Sequence, residues 1–162
     1  MKPLALVAAL AALALSACAA PAPEVTRSAP ALYPGETPQM RDLIRSYANR
    51  LGIPEELLHR VIQRESDYNP GARNGPYYGL MQILPATAGS MGYDGPPAGL
   101  LDAETNLEYA GRYLRGAWLV SDGSIDEAVM WYARGYYYEA RDRCLLIETG
   151  LAGRELCSAE RG

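Results

Sequence analysis

In the segment VIQRESDYNP, Val61 to Pro70, an acid stands where the apolar stripe of a helix should continue. Leu58, Val61 and Ile62 recur at helical spacing, and Glu65 lies seven, four and three residues after them, on the same face. Burial penalises such a carboxyl unless it is paired, neutralised or used. Beside apolar side chains it loses solvation, which favours its neutral form and raises its proton affinity. A proton held near neutral pH can then be given to a leaving oxygen. The bland alternative is a helix-end glutamate in a salt bridge with an arginine. Carboxyl groups that work as acid and base commonly come in pairs with separate roles, and no second one is marked. Asp67 follows too closely and points elsewhere if the helix continues. Asp94, Asp102, Glu104, Glu108 and Glu127 fall in loops or early helix turns, where cap and dipole roles explain them.

Three segments belong together: RESDYNP at 64–70, YYGLMQILPATA at 77–88 and MWYARG at 130–135. Glu65-Ser66, Asn69-Pro70, Gly79-Leu80-Met81-Gln82, Pro85 and Thr87-Ala88 stand in the order and spacing of a known pattern. Over roughly residues 40 to 138 the chain resembles the soluble lytic transglycosylase family, relatives of goose-type lysozyme. Glu-Ser alone is a weak signal; with Gly-Leu-Met-Gln at this distance it is strong. The resemblance implies a mainly α, lysozyme-like transglycosylase domain that acts on peptidoglycan without a cofactor. It implies that Glu65 protonates the bond leaving N-acetylmuramic acid, with the substrate's acetamido group assisting. The sugar's own C6 hydroxyl then closes onto the anomeric carbon, giving a 1,6-anhydro product, so one acid suffices.

The resemblance assigns substrate-binding roles to Ser66, Gly79, Met81, Gln82 and Tyr132. Each has a plainer reading. Ser66 either bonds near the reacting sugar or is a solvent-facing helix-end serine. Gln82 offers a donor and an acceptor to an amide or hydroxyl, or caps the next turn. Met81 packs under the site more readily than it touches sugar, and Gly79 allows a close backbone approach. Tyr132 either reaches Glu65 or the substrate, or is a core tyrosine. Tyr77 and Tyr78 either wall a glycan strand or pack. The family's Asn after the Tyr of Tyr-Asn-x-Gly is Ala133 here, which removes one grip on the substrate; Arg134 is the neighbour that could compensate. His59 is the only histidine, roughly opposite Glu65 on its helix, with no clustered ligands, so no metal site is expected.

Helices must position these groups. Met40, Leu43, Ile44, Tyr47 and Leu51 predict a helix that Gly52 stops, and Pro54 opens the next. DYNPGARNGPYYG reads as turns almost throughout. Pro85 to Gly92 bounds a short helix. Asp102 caps a longer one with Leu107, Ala110, Leu114, Ala117 and Trp118 on one face. Ser124 and Glu127 form a capping box for a helix that Gly135 ends, and Tyr136 to Glu148 reads as another helix. No run reads as a long strand.

The chain of 162 residues is enough for one domain. Lys2, the apolar run Leu4 to Leu15, and the small residues before Cys18 resemble a lipoprotein signal with a lipidated cysteine. The expected organisation is a signal peptide over 1–17, a lipidated Cys18 with an Ala/Pro-rich tether over 18–38, the domain over 39–149, and a tail over 150–162. Ala19 after Cys18 predicts the periplasmic face of the outer membrane. With Cys18 lipidated, Cys144 and Cys157 remain as a disulfide pair. The net charge of −4 gives no footprint for nucleic acid. The absence of Phe beside 12 Tyr suits a sugar groove, although most of these tyrosines should pack. Expected partners are peptidoglycan glycan strands, the membrane through the N-terminal lipid, and a secretion or wall-synthesis complex. The competing functions are a lysozyme-like hydrolase and a glycan-binding lipoprotein without turnover.

Overall fold

A computed structural model describes residues 30–157. The proposed signal peptide, Cys18 and most of the proposed tether lie outside the described residues. The order is α1 (Pro38–Leu51), α2 (Glu55–Glu65), β1 (Arg73–Asn74), β2 (Tyr77–Tyr78), α3 (Pro85–Ser90), a 3-10 turn (Pro97–Leu101), α4 (Ala103–Leu119), α5 (Ile125–Arg134) and α6 (Tyr137–Asp142). The strands form one two-residue antiparallel hairpin, Arg73 opposite Tyr78 and Asn74 opposite Tyr77.

The helix ends follow from local chemistry. Thr37 Oγ1 accepts from the Met40 amide at 3.1 Å to start α1, and Gly52, at φ +65°, ends it. Asp102 caps α4 through the Thr105 amide at 2.8 Å, and Ser124 caps α5 through the Glu127 amide at 3.3 Å. Pro54 stands just before the first turn of α2 rather than in it.

α4 is the central element and packs against α1, α3 and α5. Leu107, Ala110, Leu114 and Ala117 are fully buried along it, facing Ile44 and Leu51 of α1 and Leu58 and Ile62 of α2 in one core. α1 comes so close that a Cβ on Gly111 would stand 2.6 Å from Leu51 Cδ1.

Two boundaries differ from the sequence expectation. The folded unit begins at Ala31, not at Gln39. Glu36, assigned by composition to the tether, is buried: Arg41 Nε donates to its Oε1 at 2.6 Å and the Tyr33 amide to its Oε2 at 2.9 Å. Tyr33 packs on His59 with ring centroids 4.9 Å apart. The last helix stops at Asp142 instead of running to Glu148. Cys144 adopts φ +58°, and the Leu145 amide turns back to the Ala140 carbonyl at 2.8 Å, which ends helical continuation. Cys144 and Cys157 are disulfide-bonded with Cα atoms 5.0 Å apart. Between them Glu155 accepts from the Leu146 and Ile147 amides at 3.0 and 2.8 Å, so the tail is fastened to the domain.

Candidate active site

Glu65 is the last residue of α2, past the fully packed Leu58, Val61 and Ile62. The helix then breaks sharply. The Ser66 and Asp67 amides both donate to the Ile62 carbonyl at 3.0 Å, and Asp67 and Tyr68 take left-handed φ of +50° and +63°. The break turns the chain away and leaves the Glu65 carboxyl in a cleft of about 340 Å³ with Arg64, Asn74, Tyr77, Gln82, Tyr132 and Ala133. Its side chain is 25 % exposed. Burial raises its proton affinity above the ordinary glutamate value, and the charge of Arg64, with Nε 3.6 Å away, acts in the opposite direction and loses. Glu65 is the one acid among the residues lining this cleft.

The loop at 79–82 supplies the floor. Gln82 has φ +47° and Nε2 donates to the carbonyls of Gly79 at 2.8 Å and Ala72 at 3.1 Å. With the nitrogen committed, the oxygen of that amide is the group left for the cleft. Gln82 thus ties the loop back to the residues that precede it and also lines the cleft. Met81 is fully buried and works through its backbone, where its amide donates to Asn106 Oδ1 at 2.9 Å and its carbonyl accepts from the Tyr132 hydroxyl at 2.8 Å. Tyr132 forms a cleft wall, and its single O–H is spent on that carbonyl rather than on Glu65. Burial first, and the nearby Glu65 charge second, push its phenol well above the ordinary tyrosine value.

Two residues expected at the substrate are placed elsewhere. Ser66 is not among the cleft-lining residues, and its hydroxyl donates back to the Ile62 carbonyl at 3.4 Å. Gly79 has φ +76°, and a Cβ there would fall 2.2 Å from Asn106 Nδ2 and 2.3 Å from the Leu100 carbonyl oxygen. The close approach that needs glycine is therefore to α4 and the 3-10 turn, not to a ligand. Of the paired tyrosines, Tyr77 walls the cleft at 42 % exposure, while Tyr78 packs under the Arg73 guanidinium, 4.7 Å from its ring centroid.

Sequence reasoning missed Asn106. It is fully buried on α4 and holds three backbone groups of the surrounding loops: the Met81 amide, the Tyr78 carbonyl at 2.9 Å and the Leu100 carbonyl at 2.8 Å. The signal was available. Asn106 lies beside Leu107 and four residues before Ala110 on an apolar stripe, as Glu65 does on its own helix. Tyr113, which packs edge-on to Tyr132 with ring centroids 5.5 Å apart, lines an adjoining cleft and was not singled out from the sequence.

A carboxyl of raised proton affinity, fixed at a helix end in an open polar cleft, can donate a proton to a bound oxygen and take one back. The chain matches the family model described as the transglycosylase SLT domain over residues 42–142. It is 36 % identical over 92 residues to the membrane-bound lytic murein transglycosylase C of Haemophilus influenzae, covering 52 % of this chain and 25 % of that protein. The protein of the same name from Edwardsiella ictaluri is 36 % identical over 81 residues, covering 45 % of this chain and 23 % of the other. The chain thus spans about a quarter of the length of these curated relatives. Among solved structures, the 70 kDa soluble lytic transglycosylase of Escherichia coli superposes with a TM-score of 0.54 at 28 % identity, over 67 % of this chain and 18 % of that one.

Proposed function

The chain belongs to the transglycosylase SLT-domain family, and on that premise we propose that it cleaves peptidoglycan glycan strands at the N-acetylmuramic acid to N-acetylglucosamine bond, with Glu65 as general acid and base. The observation that carries the reading is the single carboxyl of raised proton affinity among the residues lining the cleft. Protonated Glu65 gives its proton to the glycosidic oxygen as the bond to the anomeric carbon breaks. The carboxylate so formed takes the proton of the same sugar's C6 hydroxyl, whose oxygen bonds to the anomeric carbon. The product ends in 1,6-anhydro-N-acetylmuramic acid, no water is consumed, and Glu65 is reprotonated. An internal nucleophile needs no second carboxylate to prepare it, because its effective molarity is high.

Gln82 and Tyr77 hold the strand in this reading, Gln82 through its amide oxygen and Tyr77 as an aromatic wall. Tyr132 and Met81 position the loop from beneath. Cys18 carries the lipid that anchors the chain to the outer membrane facing the periplasm. A mature N-terminus at an unmodified residue other than Cys18, measured by mass spectrometry, would end that part of the proposal.

The decisive test is digestion of purified peptidoglycan with chromatography and mass detection. Anhydro products are one water lighter than hydrolytic ones. Glu65→Gln should lower turnover by about 10²–10⁴-fold, the usual worth of general acid–base catalysis. Reducing-end products from the wild type would make the protein a lysozyme-like hydrolase. Binding without any product would make it a glycan-binding module.

A further inference from the structure

The cleft that holds Glu65 continues past Ala133 into a second compartment of about 220 Å³. Tyr77, Gln82, Tyr132 and Ala133 line both, so the two compartments adjoin. The remaining wall of the second compartment is Ile83, Leu84, Thr87, Tyr113, Gly135 and Arg134. Arg134 is the one formally charged residue of that wall, in a chain whose net charge is −4.

Arg134 ends α5 and is exposed. Its Nη1 lies 3.4 Å from Met130 Sδ, a weak acceptor. Among the described residues no carboxylate pairs with it, whereas most other described arginines, Arg60, Arg112 and Arg143 among them, sit in ion pairs. A cation at a helix C-terminus complements the helix dipole. That alone would not require it to be the one charge on the wall of a compartment that holds no acid.

We infer that Arg134 receives a carboxylate of the substrate's peptide side chains, so that the second compartment selects acidic, peptide-bearing muramyl units over neutral ones. The inference rests on the reading that the groove holds a peptidoglycan strand. A muramyl unit differs from a plain N-acetylglucosamine unit by a lactyl ether, and the peptide on that ether brings free carboxylates to the edge of the sugar. A guanidinium presents a planar fork that matches a carboxylate in two parallel hydrogen bonds. The other residues lining this compartment are uncharged, and Glu65 is the acid of the adjoining cleft.

The test sets protein charge against substrate charge in a cycle. Purified sacculi are compared with the same sacculi after carbodiimide and ammonia have converted their carboxylates to primary amides. The readout is the ratio of the full chain's kcat/KM on acidic over amidated material. The wild type should favour the acidic material by about tenfold, the equivalent of one well-placed charge-assisted contact. Arg134→Gln should bring the ratio close to one, and Arg134→Lys should keep part of it. Arg115→Gln, outside both compartments, should leave the ratio as in the wild type. Co-sedimentation with the two sacculi yields the same ratio without turnover. A chain that binds through Arg134 but releases no product therefore keeps this inference and sinks the lyase reading. A ratio near one in the wild type, a ratio that Arg134→Gln leaves alone, or an equal fall in Arg115→Gln overturns it.

Discussion

Glu65 is subject to two opposed influences, and the Arg64 charge is the one that can be removed without touching the packing. In the proposed mechanism donation needs the protonated acid, so activity should fall as pH rises through the Glu65 pKa. Arg64 lowers that pKa, and burial raises it further. Arg64→Gln should therefore move the alkaline limb of the kcat/KM profile to higher pH. The Arg64 side chain is largely exposed, so the gap between wild type and variant should shrink with added salt. A limb that stays put or moves to lower pH would contradict the assignment of Glu65 as acid. The same shift has a stability counterpart. A carboxyl whose pKa is raised by folding contributes stability below its unfolded pKa, and that contribution is lost as pH rises through the folded value. Above the folded pKa the ionised, largely buried Glu65 is a liability that Glu65→Gln relieves, so the variant should melt higher there and lose that advantage in acid.

At the scale of elements, the cleft exists because α4 and α5 grip the loop at 79–82 from two sides. Tyr132 of α5 reaches the Met81 carbonyl, and Asn106 of α4 takes the amide of the same residue. Asn106 also donates to Tyr78 and Leu100, so one buried amide side chain joins the hairpin, the loop and the 3-10 turn. Asn106→Ala would strand the Met81 amide and the Leu100 carbonyl, each costing about 1–3 kcal/mol if left unpaired, while the Tyr78 carbonyl keeps the Ile83 amide at 3.1 Å. We expect a loss of about 3 kcal/mol or more in urea unfolding. Asn106→Asp should be no better, since a carboxylate can accept from Met81 but cannot donate to the two carbonyls. A loss of less than about 1 kcal/mol would show that water replaces the side chain without penalty.

At the scale of the whole molecule, the domain is clasped near its start by a buried ion pair. The Glu36 side chain is fully buried and that of Arg41 only 9 % exposed. Burial pushes the Glu36 carboxyl up, but hydrogen bonds from Arg41 and the Tyr33 amide outweigh it and hold the group below the ordinary value. The segment also meets the turn after Glu65: a Cβ on Gly35 would stand 2.6 Å from the Asp67 carbonyl oxygen, and Tyr33 stacks on Tyr68 at 6.2 Å. Glu36→Ala should lower stability by about 3–5 kcal/mol, because Arg41 is left buried without that carboxylate. The gap from wild type should narrow in acid. A carboxyl with a depressed folded pKa contributes above its unfolded pKa, and that contribution is lost as pH falls through the folded value. Equal urea midpoints for the two proteins at neutral pH would refute the clasp. A fragment cut at residue 39 should show the same deficit relative to one cut at residue 31.

Local rules reached the helices and the placement of Glu65. Periodicity in α1, α2 and α4, the caps at Asp102 and Ser124, and the glycine stop at Gly52 depend on neighbours within a turn or two, which the sequence displays directly. The acid on the apolar stripe was legible for the same reason, and the motifs at 79–82 and 130–135 through their resemblance to a family. Tertiary structure decided what those motif residues do. Gly79 is glycine because of Asn106 and Leu100, and Tyr132 spends its hydroxyl on Met81, 51 residues away. Ser66 turns back into its own helix, and Tyr77 and Tyr78 part company between cleft and core. Glu36 looked like tether because Pro and Ala surround it, and only its pairing with Arg41 marks it as part of the domain. Arg134 stands next to Ala133 in any reading of the chain, but the carboxylate-free wall of its compartment is assembled from β2, α3, α4, α5 and the loops between β2 and α3 and after α5. A hydrogen bond or a groove between distant segments has no period and no spacing, so it becomes visible only once the core has brought those segments together.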